Sequence, residues 1–179
     1  DDTEAYEGPA YGQALAKRKR GQYEGAVEAV EIQLEQYPGD FDGLMLKATI
    51  QAENLDDLPA AVATIQETLD DPEKVRFNLP VALNKMADWQ LGIAGDATAA
   101  KRTLEQIREA LPGTQAAQFA SQRLASLDAS EESEAVAKRR KVADERGEGG
   151  GAEGSGGLGD EKVRATGTEN INGSSNAAG

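Results

Sequence analysis

The chain has 179 residues, with 32 acidic side chains against 19 basic, a net charge of −13, and neither cysteine nor histidine. So negative a surface repels a nucleic-acid backbone, and the missing residue types exclude disulfides, thiolate nucleophiles, Cys/His zinc sites, imidazole bases and haem ligation in their usual forms. The composition therefore predicts no cofactor and no catalysis, and it points away from nucleic acid as a partner.

Residues 1–8 carry little apolar content and read as a flexible N-terminus. The chain begins "DDTEAYEGPAYG" without a methionine, which predicts a processed form or a fragment whose upstream signal or anchor has been removed. No run approaches the roughly 18 consecutive apolar residues of a membrane span, so any membrane association is expected only through such an upstream segment. The lack of thiols suits a reducing or an oxidising compartment equally.

From Pro9 onward, Pro and Gly divide the chain into helical pieces with no competing strand alternation. The first piece is "PAYGQALAKRKR". In the next, "GQYEGAVEAVEIQLEQYPGD", residues Tyr23, Ala26, Val27, Val30, Leu34 and Tyr37 draw one apolar stripe that Pro38-Gly39 stops. "DFDGLMLKATIQAEN" follows, then "DDLPAAVATIQETLDDP", with its stripe through Leu58, Ala61, Val62, Ile65 and Leu69. "LPVALNKMADWQLGIA" begins a third pair. Its second member, "GDATAAKRTLEQIREALPGT", repeats the stripe through Ala97, Ala100, Leu104, Ile107 and Leu111 before Pro112-Gly113.

Ala26, Ala61 and Ala100 hold one position at spacings of 35 and 39 residues, the mark of a helix-pair repeat. A last unpaired piece, "GTQAAQFASQRLASL", reads as the cap, with Ala117, Ala120, Leu124 and Leu127 inward and Gln118, Gln122 and Arg123 toward water. Beyond Leu127, residues 128–146 form a charged stretch with helical composition. From Gly147 to Gly179, 11 of 33 residues are glycine, and burial there cannot offset a backbone ordering cost of roughly 1 to 2 kcal/mol per residue. That tail is expected to be disordered.

Across residues 9–127 the chain resembles the tetratricopeptide repeat family. The matching positions are Ala14 and Ala48 in first helices, Ala26, Ala61 and Ala100 in second helices, Tyr23 and Leu58 at the turn contact, and Pro38, Pro72 and Pro112 as stops. It departs at Ala10, where the family has a bulky residue, and at the extra residues "DPEKVRFNLP". The resemblance implies an all-α, right-handed solenoid of antiparallel helix pairs whose first helices line a concave groove for a peptide or partner helix. The segment "ADWQLGIAGDATAAKRTLEQIREALPGT…ASQRLASL" is also similar to bacterial repeat proteins with a membrane anchor upstream, which implies a cytoplasmic or periplasmic position beside a bacterial membrane.

The groove candidates are Tyr11, Leu15, Arg18, Met45, Thr49, Lys85 and Trp89. For Trp89 a binding hot spot and a core residue both fit. The carboxylate clamp of the family's chaperone-docking members is missing, since Tyr11, Leu15, Leu46 and Met86 stand where it would lie. Lys17 to Arg20 closes a helix and complements its dipole, or meets an acidic partner or anionic lipid; the run Lys138 to Lys141 reads the same way. The pairs Asp56-Asp57 and Asp70-Asp71 lack calcium-loop spacing and read as caps. The glycines of "GEGGGAEGSGG" lack the strand, helix and Lys-Ser/Thr of a phosphate cradle. The expected role is a non-catalytic protein-binding scaffold. The alternative is a structural or oligomerisation subunit, including self-association.

If Ala100 marks a close helix crossing, Ala100→Leu should lower the melting temperature through overpacking, by about 1 to 3 kcal/mol of stability. An unchanged melting temperature contradicts the register.

Overall fold

The computed structural model describes residues 7–147. Among them are seven helices and no strand: α1 (Gly12–Lys19), α2 (Tyr23–Gln36), α3 (Phe41–Glu53), α4 (Leu58–Glu67), α5 (Val75–Gly92), α6 (Ala97–Ala110) and α7 (Gln115–Glu145). The all-α expectation holds for these residues. The expected N-terminus (1–8) lies mostly outside them, and so does all but Gly147 of the expected tail.

Local chemistry sets the boundaries. Asp40, Asp57 and Asp96 accept from the backbone N–H of Gly43, Ala60 and Ala99, so α3, α4 and α6 each begin on a side-chain cap worth about 1 kcal/mol. Thr114 does the same for Ala117 at the start of α7. Gln22 stands at the corresponding place before α2 and makes no side-chain cap. Gly21, Asp56 and Gly95 occupy equivalent turn positions, all with positive φ of 78°, 53° and 62°. Two are glycines, which adopt this conformation freely; the middle one carries a Cβ that opposes it.

The sequence begins the third pair at Leu79-Pro80, yet α5 begins at Val75 and carries Pro80 inside. Of the extra residues, Asp71 to Lys74 form the turn and those from Val75 on fold as added first turns of α5. The proline lacks the N–H that would bond Arg76 carbonyl, and Arg76 is exposed. Within α5, Asn84 Nδ2 donates to the Pro80 carbonyl at 2.8 Å, and Asn78 Nδ2 donates to the Thr68 carbonyl at 3.2 Å across the α4–α5 junction.

Helices pack as consecutive pairs, α1 on α2, α3 on α4 and α5 on α6, with α2 meeting α3 and α4 meeting α5 between pairs. The repeat alanines sit where this packing needs them. Ala26, Ala61 and Ala100 are completely buried, as are Ala48 and Ala87, and Ala14 is 1 % exposed. Side chains this small let helix axes approach to roughly 8 Å. The surrounding aliphatics, Val30, Ile50, Ile65, Leu83, Leu104 and Ile107, are fully buried and contribute roughly 1.5 to 3 kcal/mol each.

α3 joins two hydrophobic clusters. Its Ile50 packs with Ala14, Ala26, Ala29 and Val30 of the first pair, while its Ala48 and Ala52 belong to the larger cluster of α4, α5, α6 and α7. A repeated polar contact closes two of the pairs. Thr64 Oγ1 donates to Gln51 Oε1 and Thr103 Oγ1 donates to Gln90 Oε1, both at 2.8 Å and both across 13 residues. In the first pair the buried Ala29 stands where Thr64 does.

The cap is inward at Ala117, Ala120 and Leu124 as expected, while Arg123 turns back onto α5 instead of facing water. α7 passes residue 127 without a break. Lys101 of α6 bonds Asp128 and Glu131 beyond that point, both at 2.6 Å. The chain divides into two compact units, residues 1–138 and 139–179; the described part of the second is the final stretch of α7 and the turn that ends at Gly147.

Removing the unfavourable Cβ should make Asp56→Gly neutral to stabilising, whereas Gly95→Ala, which adds one, should cost about 1 kcal/mol. Urea denaturation of the two variants checks this. Equal losses from both contradict the shared turn geometry.

Candidate functional site

The first members of each pair, α1, α3 and α5, lie side by side with the cap α7. Side chains on them tie one helix to the next. Glu53, the last residue of α3, is the centre of this arrangement: its Oε1 accepts from Trp89 Nε1 at 3.0 Å and from Lys85 Nζ at 3.0 Å, and its Oε2 from Arg18 at 3.2 Å. Arg18 Nε also donates to Asn54 Oδ1 at 2.7 Å. One carboxylate thus links α1, α3 and α5. At the far side, Arg123 of α7 donates to Asn84 Oδ1 at 2.8 Å and Asp88 Oδ1 at 2.6 Å on α5.

The electrostatics follow from this geometry. Partial burial pushes the Glu53 carboxyl pKa up, but hydrogen bonds from Trp89 and Lys85 and the positive charges of Lys85 and Arg18 outweigh it, and the group ends below its ordinary 4.5. Lys85 also sits over the Trp89 ring, 5.4 Å from its centroid, within range of a cation–π attraction. The Lys101 pKa is raised by its hydrogen bonds to Asp128 and Glu131.

The structure distributes the sequence-derived candidates over three environments. Trp89 is in the core, 3 % exposed and hydrogen-bonded to Glu53. Tyr11, Arg18, Met45, Thr49 and Lys85 are partly buried. Of these, Tyr11 Oη donates to Asp40 Oδ2 at 2.6 Å and packs against Gly43, and Thr49 Oγ1 bonds the Met45 carbonyl. Leu15 is half exposed, at 51 %.

Counting from the buried alanines Ala14, Ala48 and Ala87, the positions of Tyr11 and Met45 correspond to Asn84, and those of Leu15 and Thr49 to Asp88. Lys85 and Trp89 are one place further on, in line with Leu46 and Ile50. That row packs against the preceding pair, as Ile50 does in the first cluster.

Glu53, Asn84, Asp88 and Arg123 are the members of this face that sequence periodicity does not mark. A recurrent signal does exist. On three of the four helices an exposed apolar residue precedes a cation by one turn: Leu15 and Lys19 on α1, Val81 and Lys85 on α5, Phe119 and Arg123 on α7. Residues four apart share a helix face. Val81 and Phe119 are 54 % and 52 % exposed.

Among the described residues no cluster of acidic side chains is arranged to hold a metal ion, and no helix is long and apolar enough to cross a membrane. A cavity of about 400 Å³ between Val75, Leu79, Leu111 and Pro112, and one of about 390 Å³ between Leu44, Thr68 and Asp71, carry no nucleophile and base in hydrogen-bonding geometry. Neither a protein-family model nor a curated protein matches the sequence.

Trp89 fluorescence should be blue-shifted and resistant to acrylamide; red-shifted, quenchable emission contradicts its burial. Glu53→Gln should lower the melting temperature by about 2–4 °C near neutral pH. A carboxyl held below its unfolded pKa stabilises above that value and loses its contribution as pH falls through the folded pKa. The gap between wild type and Glu53→Gln should therefore close on acidification below pH 4.5, as read by thermal melts at stepped pH. A gap that persists there places the effect outside the charge.

Proposed function

We propose that this chain is a non-catalytic protein-binding module, a right-handed tetratricopeptide-like solenoid of antiparallel helix pairs that takes a peptide or partner helix across α1, α3, α5 and α7. The observation that carries this reading is the set of half-exposed apolar side chains, Leu15, Val81 and Phe119, on helices that polar bridges hold side by side. Repeat stacks cover their apolar faces with neighbouring pairs and present the remaining row of helices to partners. The absence of histidine and cysteine from the whole sequence supports binding over catalysis, because the commonest general base and the most nucleophilic side chain are both missing.

A second reading, a structural or self-associating subunit, draws on Ile32 of α2, which is 55 % exposed on the other helix row. The two readings separate in a cross-linking experiment. A photoreactive residue at Leu15 should give adducts with another protein in the host cell, and the same residue at the exposed Ala63 of α4 should give none. Adducts with the chain itself favour the second reading. No adduct from Leu15 contradicts the first.

A further inference from the structure

The charges are not spread evenly over the two rows of helices. α1, α3, α5 and α7 as far as Leu127 carry seven basic and three acidic side chains, and α2, α4 and α6 carry three basic and seven acidic. In a chain with a net charge of −13, the first-helix row is the positive one. Four of the acids of the other row, Glu24, Glu28, Glu31 and Glu35, lie on α2 alone.

The positive row is also the one with more large apolar residues in water. Leu15, Phe77, Val81 and Phe119 are exposed on it, against Ile32 on the other row. Three of them sit one turn before Lys19, Lys85 and Arg123 on the same helix faces. Lys85 and Arg123 are already engaged with Glu53 and Asp88 and retain exposures of 39 % and 20 %. Lys17, Lys19 and Arg20 make no ion pair among the described residues, so positive charge is concentrated at the C-terminal end of α1.

We infer that the first-helix row binds an acidic amphipathic segment of a partner protein, whose apolar side chains meet Leu15, Val81 and Phe119 and whose carboxylates meet Lys19 and Arg20. This deepens the binding reading and rests on it. The juxtaposition selects for charge in both directions. A basic segment is repelled at the α1 end, and an acidic segment without apolar residues leaves the three anchors in water. Contacts among exposed charges weaken as salt shortens the screening length, while the apolar contacts persist.

The test uses three fluorescein-labelled synthetic helices of equal length and the intact protein. One, about 25 residues long, repeats leucines at i, i+3, i+4 and i+7 along its whole length with glutamates between them, one replaces the glutamates by lysines, and one keeps the glutamates and replaces the leucines by serines. Fluorescence anisotropy should show binding of the Leu/Glu helix at least tenfold tighter than of either other helix. The affinity should fall by about tenfold between 50 and 500 mM salt. Leu15→Ser with Val81→Ser, and separately Lys19→Glu with Arg20→Glu, should each weaken binding by at least tenfold while circular dichroism shows the helical content retained at the assay temperature. These positions are exposed, so the variants are expected to fold.

Equal binding of the Leu/Lys helix, or no effect of the four substitutions, overturns the inference. So does concentration-dependent self-association of the protein alone that Glu28→Lys with Ile32→Ser abolishes, because the row is then covered by α2 of a second copy. A Leu15 cross-linked partner whose contact segment is basic sinks the charge preference while leaving the protein-binding reading standing.

Discussion

Everything in this structure depends on pairs of helices crossing closely enough for each pair to cover its neighbour. A helix pair alone leaves an apolar side in water, and the chain buries an alanine at the equivalent position of the second helix in all three pairs. A side chain no larger than a methyl lets helix axes approach closely enough for the aliphatics around it to interdigitate. Ala26, Ala61 and Ala100 are buried to the same extent despite unequal spacing in sequence. α3 shares in both hydrophobic clusters. The burial of the first pair is therefore tied through α3 to that of the second.

Polar contacts supply what apolar packing leaves unspecified. Burying methyl groups favours closeness but is indifferent to small rotations, whereas the Gln–Thr bonds inside the second and third pairs and the Glu53 bridge between first helices have directional optima. No buried side-chain nitrogen or oxygen among the described residues lacks a hydrogen-bond partner. Glu53 is partly exposed, so its contribution lies more in orientation than in raw stability. By engaging Arg18, Lys85 and Trp89, it converts three candidate ligand contacts into elements of the scaffold. What remains for a partner is the set of apolar residues beside them and the cations Lys17 and Lys19 of α1, which make no ion pair among the described residues.

Much of this was legible in the sequence because it is periodic. Helix stripes, Pro-Gly stops and the recurring alanines are local patterns, and local patterns give the all-α class and the pairing of elements. The start of α5 was hidden by Pro80, whose usual place is the first turn of a helix and which here sits one turn further in. Row assignment failed to transfer for a related reason. The buried alanines of the first helices, Ala14, Ala48 and Ala87, step by 34 and 39 residues, whereas Tyr11, Met45 and Lys85 step by 34 and 40. The one-residue slip falls at the third pair, where the residues added before Pro80 obscure the register, and it exchanges Asn84 and Asp88 for Lys85 and Trp89. The Glu53 bridge was not legible at all, because its partners lie 32 to 36 residues away on other helices and no periodic rule points to them.

The central claim, mutual covering of helix pairs through close alanine crossings, is tested most directly by residue-resolved amide hydrogen exchange. The account predicts that the amides of Ala26, Ala61 and Ala100 exchange slowest and at closely similar rates, through one shared opening of the stack, while α7 beyond Glu131 exchanges far faster. Fast or widely different exchange at the three alanines would mean that the pairs do not shelter one another, and would contradict the account.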